Sequence, residues 1–447
     1  MKTTPPKGLR VGTASRDISP LKPMFLVGYP HVPRISTGVH DPLLVSAICF
    51  DDGETSLLAV ALDLLFVSAE TVCEWRRAIE QAAGIPASRI LISATHTHSG
   101  PITAELLAWR DDPVVPAIDP EYMAFLKHRV VEAAVAARQS AVPARLAVTA
   151  AITERLGGNR ISPVDGPIDP EAGILFARRR DNDEPLAIQM IYSMHPTVMH
   201  EDSTLVSSDF PAFTRRYLEA ALSGAKVIYH TGPSGNLSPR YHVKAQTFAE
   251  AERLGHLLGE AVLRAVQALR EENFADVISL DAVSELVAIP SRSYPSVVSA
   301  RENLQRAQAD YLRLQREGAP RGQVRTAECT VFGAEEVVTL ARAEASGELE
   351  EWHRRYARAE VQVLRVGGAF LVALPGELFV EYALRIKRAC KGRTFVVNLA
   401  NGELQGYIVT PEAEKAGGYE AQMSMFSAAA GDVLTSAAVK LTQELAT

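Results

Sequence analysis

The sequence predicts an α/β fold, a layered mixed β-sheet core flanked by helices, on three observations. Apolar strand-like runs alternate with helix-period segments along most of the chain. Several of those runs end in Gly/Pro-marked loops that carry histidine, glutamate or tyrosine. At 447 residues, with 47% hydrophobic and 22% charged residues, the chain can bury a large core and has the balance of an ordinary globular protein.

Taken in order, RVGTAS, LLVSAICF and SLLAVALDLLFVS read as strands, the last two joined by Asp51-Asp52-Gly53, a hairpin signal. Residues 68–84 read as a helix closed by Gly84-Ile85-Pro86. Arg89 to Ala94 is a short buried strand that runs into Thr95-His96-Thr97-His98; if strand geometry continues, His96 and His98 share a face. A helix from Pro120 to Gln139, a strand over RLAVTAAITE and a strand over LAIQMIYSMHP follow. Residues 210–222 are helical, AKVIYHTGPSGNLSPR is a strand entering a Gly/Pro/Ser/Asn loop, and residues 248–269 form an amphipathic helix. Strand character returns over 274–290. Residues 296–317 and 334–360 are charged and helical in period, a solvated helical hairpin inserted at about 296–360; a lid or an oligomerisation arm is the sharper alternative. VQVLRVGGAFLVALPGE is a strand pair around Gly367-Gly368, 382–391 a helix, FVVNLAN a strand, and a small-residue helix begins at Ala428. No repeat or low-complexity linker divides the chain, so residues 1–447 read as a single domain.

The net charge of −7 gives no basic face for a phosphate backbone, which argues against nucleic acid as a partner. No run of about 18 apolar residues exists to span a membrane. MKTTPPKGLRVGTASRDISP has no apolar leader core, from which a cytoplasmic location is expected. Cys49, Cys73, Cys329 and Cys390 stand far apart, with no CxxC spacing, and read as reduced thiols.

Four apolar runs end in groups able to bind metal. The first delivers His96 and His98, the second His195 before Pro196 with His200 beyond, the third Glu377 after Pro375-Gly376, and the fourth Tyr407 after a Gly-rich turn. Histidine is the commonest metal ligand, and two histidines with a carboxylate form a known catalytic zinc set that keeps one position for water. Each residue alone reads equally well as ordinary structure: His195 as a hydrogen-bonded histidine, Glu377 as a carboxylate at a helix N-terminus. Spacing alone does not bring them together.

ATHTHSGP, MHPTVM, GNLSP, LPGE and GYIVTPEAEKAGGYEA, in that order, together with VGTASRDISP and GYP near the start, resemble the neutral/alkaline (non-lysosomal) ceramidase family across nearly the whole chain. The resemblance implies a zinc-dependent amidase that cleaves an N-acyl bond, with the zinc at strand ends. It implies His96, His195, Glu377 and Tyr407 as zinc ligands, and His98, Arg160, Tyr419 and Ser238 as further site residues, the role of Ser238 left open. Zn2+ is the expected cofactor, with an N-acyl small molecule, lipid or not, as substrate; a homo-oligomer is left open. Hydroxide on zinc would attack the amide carbonyl, His98 would handle the proton, and Tyr419 and Arg160 would stabilise the oxyanion. Asp63 is expected either to orient a ligand histidine or to cap a helix or turn, and Asp209 to be either a site acid or a helix cap.

The sequence departs from the family in places. Gly235-Asn236 stands where the family has Gly-Asp, Ile102-Thr103 replaces a glycine pair, and the 296–360 helices have no counterpart. The family's secretion signal and C-terminal immunoglobulin-like domain are not matched. These departures keep a zinc hydrolase of small esters, lactones or polar amides as an alternative. A non-catalytic binding homologue is the alternative from another class.

Overall fold

The computed structural model describes residues 8–447; the first seven residues of the stretch read for a leader lie outside them. Two sheets carry the architecture. The larger comprises β1 (Arg10–Asp17), β3 (Leu44–Asp51), β4 (Ser56–Leu62), β5 (Ile90–Ala94), β6 (Val142–Ile152), β8 (Glu171–Arg179), β9 (Pro185–Tyr192) and β11 (Lys226–Thr231), in the order β11-β9-β8-β6-β1-β3-β4-β5. It is mixed: β4 and β5 run parallel, as do β9 and β11, while β1, β3, β6 and β8 pair antiparallel. The smaller sheet is β13 (Leu280–Ala288), β14 (Arg358–Val366), β15 (Ala369–Ala373) and β17 (Arg393–Val397), in that order. Three short ribbons pair β2 (Gly38–Val39) with β10 (Leu205–Val206), β7 (Gly158–Asn159) with β12 (Leu237–Ser238), and β16 (Glu377–Leu378) with β18 (Tyr407–Ile408).

The sheets stack face to face. Period-2 alternation decides which side each residue joins. In β4, Leu57, Ala59 and Ala61 enter the core between the sheets, where they meet Leu371, Phe395 and Val397 from the smaller one. Leu58, Val60 and Leu62 point the other way, onto α1 (Ala69–Ala83) and α2 (Pro120–Gln139). Farther along the same outer face, α3 (Phe210–Ala221) and α4 (Phe248–Gln267) bury Phe210, Leu254 and Leu258. The outer face of the smaller sheet is covered by α8 (Val380–Ala389) and α11 (Ala429–Ala446). The result is an α/β/β/α sandwich, in which each fully buried Leu or Ile contributes about 1.5–3 kcal/mol.

Local chemistry explains the element ends. Ser68 accepts from Thr71 N to start α1, and Gly84, at φ 66°, ends it. Asp119 accepts from Glu121 N and Tyr122 N ahead of Pro120, the first residue of α2. The four cysteines are unpaired. Among the described residues no helix is long and apolar enough to cross a membrane.

Four expectations are corrected. The run after Asp51-Asp52-Gly53 leaves the sheet at Leu62, because Leu62 and Leu64 carbonyls turn to accept from the next strand's exit. Residues 171–179 form β8, a central strand the sequence reading did not assign; its short apolar core, GILFA, is hemmed by charges at both ends. The helical insertion is α5 (Val297–Arg316), α6 (Arg321–Ser346) and α7 (Glu348–Arg355), broken at Gly347 with φ 82°, while residues 358–360 already belong to β14. It is not a solvated hairpin throughout: α5 buries only Ala300, but α6 buries Val331, Val337, Val338 and Leu340 against the body. The remaining helices, α9 (Pro411–Ala416) and α10 (Tyr419–Met423), follow β18.

Candidate metal centre

The loops that leave β5, β9, β15 and β17 meet at one end of the sandwich. Strand β5 stops at Ala94, so strand geometry does not carry the two histidines. Thr95 N donates to Leu62 O (2.8 Å) and His96 N to Leu64 O (2.9 Å), and His96 takes φ 70°. A left-handed, non-glycine backbone costs on the order of 1–3 kcal/mol and persists where the surroundings enforce it. The kink turns both rings inward, with the His96 and His98 planes at 89° and centroids 4.9 Å apart. His195 arrives from beyond β9. Glu377 and Tyr407 are direct partners in the parallel β16–β18 ribbon. Each follows a glycine with positive φ, Gly376 at 84° and Gly406 at 73°; a Cβ on Gly406 would lie 1.8 Å from Met423 O.

Hydrogen bonding fixes which ring nitrogens face the centre. His96 Nδ1 lies 3.1 Å from Leu65 O, His98 Nδ1 2.9 Å from Gly28 O, and His195 Nδ1 2.6 Å from Ser234 O and 3.1 Å from Leu237 O. A carbonyl only accepts, so each Nδ1 carries the proton and each neutral ring presents its Nε2 lone pair. Those lone pairs converge: His96 Nε2 is 3.1 Å from His195 Nε2 and 3.4 Å from His98 Nε2. The Glu377 Oε2 atom lies 3.1 Å from His195 Nε2 and 3.2 Å from His96 Nε2. Three lone pairs and a carboxylate aimed at one point repel each other unless a cation sits among them, and the donor set suits a metal ion. His96, His98 and His195 together are arranged to hold one, with ligand atoms within 4.8 Å of one another. Glu377 joins His96 and His195 on the opposite side.

The electrostatics agree. Burial, then Arg160, lowers His195 to about 4, so the ring is neutral at ordinary pH. Burial lowers His98 well below 6.5, helped by His96 and His195. Burial works to raise Glu377, but His96 and His195 override it and hold the carboxylate ionised. Burial keeps Tyr407 and Tyr419 protonated.

The other expected residues form a second group. The Arg160 guanidinium lies 5.3 Å over the Tyr407 ring, and Tyr407 and Tyr419 meet edge-on at 5.9 Å. Arg160 Nε donates to Glu420 (2.7 Å), while its buried Nη2 has no hydrogen-bond partner among the described residues. Burial opposes its charge, yet Tyr407, Glu420 and Glu377 hold it cationic. Ser238 lies in the β7–β12 ribbon, and its Oγ accepts from Arg240 N (3.1 Å). That loop serves the site through its backbone: Ser234 and Leu237 carbonyls hold His195, and Asn236 O accepts from Arg160 N (2.8 Å). The Asn236 side chain joins Val380 N (2.9 Å) and Glu381 (2.8 Å) at the start of α8.

Asp63 neither touches a histidine nor caps a helix. Its oxygens take Arg215 (2.6 and 2.8 Å), Ser208 Oγ (2.6 Å), Leu44 N (2.8 Å) and Thr95 Oγ1 (3.1 Å), so it braces the residue before His96. Asp209 caps α3, accepting from Phe210 N (2.6 Å) and Met199 N (2.8 Å). His200 stands outside the cluster, against Tyr29 at 5.5 Å.

Sequence reasoning missed the residues that act through their main chain, Leu65, Ser234 and Gly28. Gly28 carried a signal in GYP: its φ is 122°, and a Cβ would come within 2.6 Å of the His98 ring. Gly28→Ala is therefore expected to push His98 off Gly28 O and, because His98 is the residue expected to handle the proton, to lower amide hydrolysis about 10-fold or more while metal content is kept. Rates on an N-acyl amide and the metal content of the two zinc-loaded proteins measure it; equal rates would show that His98 is not held from Gly28.

Among solved structures, the chain is similar to neutral ceramidase from Pseudomonas aeruginosa, with a TM-score of 0.76 and 17% identity over 98% of this chain and 75% of that one. A ceramidase complexed with C2 gives a TM-score of 0.74 and 17% identity, over 98% and 76%. The likeness read from the motifs thus holds at the level of the fold, which this chain shares with those proteins. No family model matches the chain, and no curated protein matches it.

Proposed function

We propose that this protein is a zinc-dependent amidohydrolase of the neutral ceramidase type, cleaving an N-acyl amide bond. The observation that carries the reading is the set of three Nε2 lone pairs and one carboxylate converging with every Nδ1 already engaged. His96, His195, Glu377 and Tyr407 would hold the zinc. Bound zinc would polarise the amide carbonyl and activate a water as nucleophile.

The chain's own residues do the rest. His98 is the one histidine of the cluster that is partly exposed. Its protonated Nδ1 is anchored on Gly28 O, so Nε2 faces the centre beside the four ligands, placed to take the proton from the attacking water and return it to the leaving amine. The unpartnered Arg160 Nη2 and the Tyr419 hydroxyl are donors for the oxyanion that forms on the carbonyl. Glu420 keeps Arg160 in place. Ser238 shapes the loop whose carbonyls fix His195. The structural likeness to ceramidases supports an amide as the bond cleaved.

The test is hydrolysis of N-acyl amides from acetyl to palmitoyl by zinc-loaded protein. Turnover of at least one of them, abolished by a chelator and restored by zinc, is the expected result. Protein that binds zinc at one per chain yet cleaves no amide, while turning over esters or lactones, would overturn the choice of bond.

A further inference from the structure

One short loop takes hold of His98 from three sides. Residues 26–34 leave and rejoin a pairing in which Leu26 N donates to Arg34 O (2.7 Å), beside the Phe25–Ile35 bridge. Inside the loop, Gly28 O accepts from His98 Nδ1 (2.9 Å). The Tyr29 ring lies against the His98 ring, with centroids 5.3 Å apart, and its hydroxyl donates to Met199 O (2.9 Å). Arg34 closes the grip from the main-chain side: its Nη1 donates to His98 O (2.8 Å) and its Nη2 to Ser99 Oγ (3.3 Å). A third donor, Nε, reaches Ser203 O (3.0 Å), on the loop that follows His195. The guanidinium also lies 5.1 Å over the Tyr29 ring, a cation–π distance.

Packing alone does not account for Arg34. It is 1% exposed, and its three acceptors are two carbonyls and a hydroxyl, none of them charged. Burial lowers its pKa, with Tyr29, Glu201 and Asp202 acting the other way, and a guanidinium keeps its proton all the same. Burying a cation on neutral acceptors costs stability. Nor is Arg34 needed to join the two loops, because Thr37 N donates to Thr204 O (2.9 Å) and β2 pairs with β10 beside it. What a guanidinium fork supplies is several donors in fixed directions. Two of them are spent on His98 and the residue after it. The other members of the cluster are held elsewhere: His96 on Leu65 O, His195 on Ser234 O and Leu237 O, and Glu377 in the β16–β18 ribbon.

We propose that Arg34 and Tyr29 are positioning residues for His98: Arg34 fixes the main chain that carries the ring, Tyr29 fixes the face of the ring, and together they keep Nε2 aimed at the reacting water. The inference rests on the hydrolase reading above and adds to it the residues that set its base. Both act through His98 and not through the zinc ligands. Proton transfer depends on alignment, and a displacement of about 1 Å costs on the order of 100-fold in rate. Loosening the His98 main chain therefore lowers turnover while the metal stays bound.

The test is a rate cycle on the zinc-loaded full chain with an N-acyl amide, using the parent, Arg34→Lys, His98→Ala and the double variant. Lysine keeps the charge and loses the fork. Arg34→Lys is expected to lower kcat about 10-fold or more, with zinc content and KM kept. In the His98→Ala background the same change is expected to cost no more than about twofold, because the residue it acts through is gone. Equal losses in both backgrounds would overturn the proposal and make Arg34 a brace for the fold. Tyr29→Leu, which withdraws the ring and leaves the fork, carries the same cycle if Arg34→Lys does not fold. A second readout needs no turnover. In long-range proton–nitrogen NMR spectra of the zinc-loaded protein, the His98 ring signals should shift in Arg34→Lys while those of His96 and His195 stay. Unmoved His98 signals would overturn the proposal. Zinc-loaded parent that cleaves no amide would overturn the hydrolase reading alone, and the spectra then decide the role of Arg34.

Discussion

The Glu377→Ala protein is expected to bind zinc at least about 100-fold more weakly than the parent and to lose amide hydrolysis with it, since even a residue that merely orients a ligand is worth 10–100-fold. Glu377 brings the negative charge that lies within 3.2 Å of both His96 and His195. The carboxylate stays ionised although it is 5% exposed, because the histidines outweigh burial. Without it the centre offers a dication neutral donors only. The substitution should leave the fold alone: the β16–β18 pairing is made by backbone, and Gly376, not Glu377, makes the turn. Glu377→Gln, which keeps the shape and removes the charge, should fall between. Metal content after dialysis, rates on an N-acyl amide and far-UV circular dichroism decide it. A fully zinc-loaded, fully active Glu377→Ala protein would remove this carboxylate from the ligand set.

The second large effect is expected beneath the site. Arg215→Met should destabilise the protein by about 3–5 kcal/mol, the range for breaking a buried ion pair and stranding one charge. Asp63 is 0% exposed and Arg215 4%, and the guanidinium meets both carboxylate oxygens at 2.6 and 2.8 Å. The double variant Asp63→Leu/Arg215→Met, which removes both charges, should recover part of the loss. Because Asp63 also holds Thr95, the residue before His96, the single variant should bind metal more weakly as well. Denaturant unfolding with and without zinc separates the two effects. An unchanged midpoint would mean that the pair is solvated and carries no structural load.

Much of this was legible in the sequence. Strand and helix order followed from periodicity and punctuation, and Ser68, Gly84 and Pro120 mark helix ends as their side chains require. His96, His195 and Glu377 announced themselves by following apolar strands. What periodicity could not show was that the chain bends at His96 instead of extending, since a left-handed histidine has no pattern of its own. The first half of α6 went unassigned because Gly318, Pro320 and Gly322 carry turn punctuation, although Pro320 caps the helix and Gly322 lies inside it. Asp63 showed itself as a charge at the end of an apolar run, but its partner Arg215 lies far along the chain on a helix face.

The three histidines are all steadied by carbonyl oxygens of Leu65, Gly28, Ser234 and Leu237. Ring orientation is thus written in the path of the chain and not in the identity of any neighbouring side chain. Point substitutions at Leu65 or Ser234 leave those carbonyls where they are, so the centre tolerates drift around it. Insertions, deletions and prolines in the same loops do not. Surfaces near the mouth can therefore diversify while the candidate metal centre keeps its shape, and its supporting cast leaves almost no trace in residue identities.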